Sequence, residues 1–137
     1  MTVEFELDGQ RVTALNGGPE FTFNEAVSLQ VFCETQSEID YYWDTLSQGG
    51  DPKAQQCGWL KDRYGVSWQV LPRMMSDLFK DNASGNTERA MEAMLRMKKI
   101  NIAELQQAAA EEPVGRPFLT TTDTRVALRL RLSPAGG

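Results

Sequence analysis

The stretch Cys57-Gly-Trp-Leu-Lys-Asp-Arg-Tyr-Gly-Val-Ser-Trp-Gln-Val-Leu71 constrains this chain more than any other. It reads as two short strands folded back at Asp62-Arg63-Tyr64-Gly65, where a glycine accepts the positive φ of a turn. On the return strand Val66, Trp68 and Val70 alternate with Ser67, Gln69 and Leu71, so one face is apolar and the other carries a polar group. A glutamine set among bulky apolar neighbours belongs to the wall of something, and the question is whether that wall lines a pocket.

Upstream, Val3, Phe5 and Leu7 alternate with Thr2, Glu4 and Glu6, and Asp8-Gly9 is a two-residue hairpin signal leading into a strand over 11–15. Asn16-Gly17-Gly18-Pro19 breaks the pattern. A strand follows over 27–33, with Val27, Leu29, Val31 and Cys33 on one face and Ser28, Gln30 and Phe32 on the other. Thr35-Gln36-Ser37-Glu38 is a capping box, and Ile39, Tyr42, Trp43 and Leu46 then give a helix its apolar stripe. Gly49-Gly50 ends it. Tyr42 and Trp43 are expected in the core and Tyr41 in solvent. After Pro72 the spacing predicts helical segments over 73–79, 87–99 and 101–112, closed by Pro113 and Gly115. In the tail, Val126, Leu128, Leu130 and Leu132 alternate with Arg125, Ala127, Arg129 and Arg131, a strand pattern over 125–132 with an arginine face.

A chain of 137 residues allows one domain with a modest core. Its net charge of −5 argues against nucleic acid as a partner, and no apolar run reaches the roughly 20 residues needed to span a bilayer. Residues 1–115 hold 10 basic and 18 acidic side chains, whereas 116–137 hold four arginines and Asp123, so the composition changes near Gly115. Cys33 and Cys57 are expected as reduced thiols of a cytoplasmic protein. There is no histidine, which removes the usual general base and the usual metal ligand together.

Several segments together resemble the PhnB-like, demethylubiquinone methyltransferase-like branch of the vicinal oxygen chelate (glyoxalase/bleomycin resistance) superfamily. They are Val3-Glu-Phe-Glu-Leu-Asp-Gly9, Ala14-Leu-Asn-Gly-Gly-Pro19, Glu38-Ile-Asp-Tyr-Tyr-Trp-Asp44, Gly49-Gly-Asp51, Cys57-Gly-Trp-Leu-Lys-Asp62, Tyr64-Gly-Val-Ser-Trp-Gln-Val70 and Met91-Glu-Ala-Met94. The resemblance implies an α+β fold of paired βαβββ modules, curled into a half-barrel around a small-molecule pocket. Residues 1–112 would form that domain, with the second module at 27–71, C-terminal helices at 73–112 and a basic tail at 113–137. Strands 2–7 and 10–15 match only the last two strands of the first module. Three remedies for the incomplete half-barrel are open: a second copy in a homodimer, the strand pattern at 125–132, or a truncated, non-functional chain.

By position, the family's metal-facing side chains fall here on Gln30 or Ser28, on Gln69, and near Thr13 or Asn16, all neutral. Amide oxygens are weak ligands for a first-row metal. The resemblance therefore implies a small-molecule-binding domain without catalytic metal, its ligand held by Gln30, Gln69, Trp59, Phe32 and Asn16. The bland reading of the glutamines is hydrogen bonding at the barrel floor, and Phe32 and Trp59 could equally pack. The rival function is a metal-dependent lyase, isomerase or dioxygenase using Glu4 or Glu6, although a solvated strand face is the simpler account of that pair. A cysteine nucleophile lacks its activating base. Asn16-Gly17-Gly18 lacks the strand–turn–helix context of a nucleotide loop, and nothing in the sequence would hold S-adenosylmethionine in the usual manner.

Overall fold

The structure, a computed structural model, describes residues 1–80 and 85–111. The α+β architecture holds two separate sheets and four α-helices among those residues. Strands β1 (Thr2–Leu7) and β2 (Gln10–Leu15) form an antiparallel hairpin. Its turn is Asp8-Gly9, with φ of 47° and 79°, the mirror-image geometry that matches strand twist. Register places Val3 beside Ala14 and Phe5 beside Val12 on one face, and Glu4 beside Thr13 and Glu6 beside Arg11 on the other. Every residue of β1 is exposed.

The second sheet has the order β3-β5-β4. Strand β3 (Ser28–Cys33) runs parallel to β5 (Ser67–Pro72), and β4 (Trp59–Lys61) runs antiparallel to β5. Parallel neighbours need a long crossover, which helix α1 (Gln36–Ser47) supplies. Thr35 caps α1 by accepting from the Glu38 N–H, while the Glu38 carboxylate accepts from the N–H of Glu34, one residue before the cap. The apolar stripe of α1 closes one side of the sheet in a cluster of Cys33, Ile39, Trp43, Leu60 and Val70, flanked by Val31, Leu46 and Trp68. Gly50 is required there: a Cβ would lie 2.0 Å from the Lys61 carbonyl oxygen.

Tyr42 departs from expectation. It is 39% exposed against 6% for Trp43, and it meets Tyr41 edge-on at 5.3 Å between ring centroids. Ile39, Trp43 and Leu46 already fill the side of α1 that meets the sheet, and Tyr42 falls at its rim.

After β5 the chain continues into α2 (Met75–Leu78), α3 (Asn86–Leu95) and α4 (Ile102–Ala110). The described residues thus show βαββ where a full module would add a further strand. Ala90, Ile100, Leu105 and Ala109 form a second cluster, with Met75, Leu78, Met94 and Met97 against it. Helix α3 stops earlier than its spacing predicts because the carbonyls of Met97 and Lys98 accept instead from the N–H groups of Cys57 and Gly58, at 2.9 and 2.8 Å. Asn101 caps α4 through the Glu104 N–H. Gln36 ties this loop to α1, accepting from the Ile102 N–H at 2.8 Å and donating to the Ile100 carbonyl at 3.1 Å. The strand pattern at 125–132 lies outside the described residues.

Candidate functional site

The face of the β3-β5-β4 sheet turned away from α1 carries the glutamines. Pairing is direct: Gln30 lies beside Gln69 across β3 and β5, and Trp59 lies beside Gln69 across β4 and β5. Directly paired residues share a face, so Trp59, Gln69 and Gln30 form one row across three strands. The Gln30 Nε2 donates to Gln69 Oε1 at 3.3 Å, and Gln69 Nε2 donates to Ser28 Oγ at 2.9 Å. This chain of bonds leaves the Gln30 carbonyl, a second N–H on each amide and the Ser28 hydroxyl hydrogen for other partners.

Along the strands, the row is bordered on one side by Phe32 beside Leu71 and on the other by Ser28 beside Ser67. Phe32 is 46% exposed, and the Arg73 guanidinium sits 6.0 Å from its ring centroid while also pairing with Glu34. Ser67 is 1% exposed, and its Oγ has no hydrogen-bond partner among the described residues. Lys61, beside Ser67, is ion-paired with Glu25, whose carboxyl that bond holds below its ordinary value. Trp68 belongs to the opposite face. Its indole N–H donates to Asp62 Oδ2 at 2.9 Å, and Asp62 Oδ1 accepts from the Tyr64 and Val66 N–H groups to fix the turn.

Of the residues singled out in the sequence, Gln30, Gln69, Trp59 and Phe32 share this face. Asn16 directly follows β2, beside the other sheet, where its N–H donates to the Met1 carbonyl at 3.0 Å. Ser67 shares this face with Gln69 but is not among the site residues singled out in the sequence, although its place two residues before Gln69 in the alternation is the signal for it. Gln30 and Phe32 are exposed on this face while Ser67 and Leu71 are buried on it, whereas an enclosed pocket is the expectation. Two shallow concavities lie elsewhere: one of ≈ 410 Å³ along Glu4, Glu6, Arg11 and Thr13, and one of ≈ 470 Å³ between α1 and the α3–α4 loop.

The donor set on the amide face does not fit a divalent metal. Two amides and two hydroxyls offer no anionic or imidazole ligand, and among the described residues no three His, Cys, Asp or Glu side chains gather to hold an ion. Gly17-Gly18 likewise leads into a segment without a helix, so no helix N-terminus follows to receive a nucleotide phosphate. Both thiols are pushed up by burial, with the Glu38 charge adding to the effect at Cys33, so neither is a ready nucleophile. No helix among the described residues is long and apolar enough to cross a membrane.

No curated protein matches the chain. A solved structure of the PhnB protein from Bacillus cereus is 38% identical, over 53% of this chain and 64% of that one, with a TM-score of 0.45. This chain thus spans 64% of that relative's length. The family model of 3-demethylubiquinone-9 3-methyltransferase matches residues 1–71, about half of the chain. On that match, the chain belongs to the PhnB-like, 3-demethylubiquinone-9 3-methyltransferase family.

Proposed function

We propose that the amide face of the β3-β5-β4 sheet binds a small neutral molecule, polar or aromatic, without a catalytic metal and in a homodimer. The observation that carries this is the Gln30–Gln69–Ser28 hydrogen-bonded run lying beside Trp59 on the sheet face away from α1, with Gln30 exposed. Amides present donors and acceptors together, so they suit a ligand with polar groups of both kinds, and an indole offers flat apolar area for a ring. The buried, unpartnered Ser67 hydroxyl on the same face is a further site for a polar group. A second copy would cover what this chain leaves open: Val3, Phe5 and Leu7 are 56%, 42% and 40% exposed on one face of the hairpin.

Isothermal titration with zinc, manganese and nickel is expected to show no saturable one-to-one heat, and tight one-to-one binding would remove the metal-free reading. A thermal-shift screen of neutral polar and aromatic compounds is expected to yield ligands whose effect disappears in Gln69→Leu while the circular dichroism spectrum is kept. Ligands that stabilise Gln69→Leu equally well would place binding elsewhere.

One observation favours a second reading. Glu4 and Glu6 line the concavity on the hairpin, where two carboxylates could serve acid–base or metal chemistry with groups from a partner. Turnover that is abolished by chelator and lost in Glu4→Gln would favour that reading over the first.

A further inference from the structure

Lys61 closes β4 directly beside Ser67, which in turn lies beside Ser28. Directly paired residues share a face, so Ser28, Ser67 and Lys61 form a second row next to Gln30, Gln69 and Trp59. The rows are joined where Gln69 Nε2 donates to Ser28 Oγ at 2.9 Å. They differ in chemistry. Amides offer donors and acceptors alike. The second row brings an ammonium group and two hydroxyls, neither of which donates to another group among the described residues. A surplus of donors beside a positive charge suits a carboxylate.

The chain already places a carboxylate there. Glu25 pairs with Lys61 from the stretch 16–27, which lies between β2 and β3 and outside both. Its side chain is 65% exposed against 26% for Lys61, so the negative partner is the one in water. An exposed pair of this kind is weakly held, and it is open to exchange with a carboxylate brought by a ligand. The opposite end of the face is poorer. Arg73, near the Phe32 ring, is likewise matched by Glu34, but Leu71 beside Phe32 has no donor to add.

We propose that Glu25 is a specificity-determining residue of the amide face. It fills a carboxylate subsite made by Lys61 and the hydroxyls of Ser28 and Ser67, and so reserves the face for neutral ligands. The inference rests on the reading of that face as a binding surface. Neutralising Glu25 leaves Lys61 uncompensated and turns the same surface toward molecules that carry a carboxylate on a polar or aromatic body.

The test uses acetate as the carboxylate alone and acetamide as its neutral counterpart, each titrated into the full chain at neutral pH and constant ionic strength. The backbone amide signals of Ser28, Lys61 and Ser67 are followed by NMR. In Glu25→Gln they are expected to shift together, with α1 signals unmoved, on a saturation curve whose acetate midpoint is about two- to fivefold lower than in the unaltered chain. The acetamide response is expected to be the same in both, and the acetate response is expected to vanish in Glu25→Gln/Lys61→Met. Equal acetate midpoints in Glu25→Gln and the unaltered chain would overturn the proposal, as would no saturable acetate response in Glu25→Gln. An acetamide midpoint that moves with that of acetate, or an acetate response that survives Lys61→Met, would overturn it too. Failure of the binding reading itself shows elsewhere, as ligands from the neutral screen that are indifferent to Gln69→Leu.

Discussion

The hairpin of residues 2–15 and the strand–helix–strand–strand unit of residues 28–72 are built from equally clear local signals, yet only one of them has a core. In the hairpin, an Asp-Gly turn and alternating side chains align six residue pairs, and all of β1 remains in solvent. In the larger unit, similar alternation on β3 and β5 meets the apolar stripe of α1, and Ile39, Leu60 and Val70 are wholly buried. Turn chemistry and alternation set pairing; burial needs a second layer. The hairpin therefore depends on something outside itself, and the larger unit does not.

Substitutions can break or sharpen that contrast. Leu60→Ala should cost about 2–5 kcal/mol in chemical denaturation, because a filled site is emptied. Phe5→Ala in dilute protein should cost within about 0.5 kcal/mol, as an exposed position does. Equal costs would mean that the hairpin is already part of a core. The two turn glycines repeat the test at smaller scale. Gly50→Ala drives a Cβ into the Lys61 carbonyl and should cost about 1–3 kcal/mol or more, whereas Gly9→Ala meets open space and bears only the left-handed penalty of about 1 kcal/mol.

Gln36→Ala should destabilise by about 1–2 kcal/mol, since it strips partners from the Ile102 N–H and the Ile100 carbonyl. Its exchange signature should be faster opening of α4, with the hairpin untouched.

The smallest effect is a pH dependence. Hydrogen bonds from Gln36 and Lys99 hold the Asp40 carboxyl below its ordinary value of 3.8. A depressed folded value adds stability that is present above 3.8 and is lost as pH falls from there through the folded value. Acid unfolding of Asp40→Asn should therefore show a shallower loss in that window, and an identical profile would remove Asp40 as a contributor.

Much of this was legible in the residues. Thr35 and Asn101 announce their helices, Asp8-Gly9 and Asp62–Gly65 announce their turns, and the parity of Gln30 and Gln69 within their strands puts both on the side away from α1. Four features were not legible. The parallel adjacency of β3 and β5 joins residues far apart in sequence. The early end of α3 follows from bonds between its exit and Cys57-Gly58, a tertiary competitor that no propensity records. Tyr42 sits at the rim of an apolar stripe, where helical spacing alone does not separate covered from uncovered. The partial exposure of the amide face also escaped the sequence, because alternation reports which face a side chain takes and not what lies opposite it.

The central claim is that Gln30 and Gln69 form one ligand-facing unit on the sheet face away from α1. The most direct measurement follows the side-chain NH₂ signals of these two glutamines by ¹⁵N NMR while a compound found by thermal shift is titrated in. The account predicts that both amide pairs and the Trp59 indole signal shift together along one saturation curve. Shifts confined to the hairpin or the α3–α4 loop, with both glutamine pairs unmoved at saturation, would contradict it.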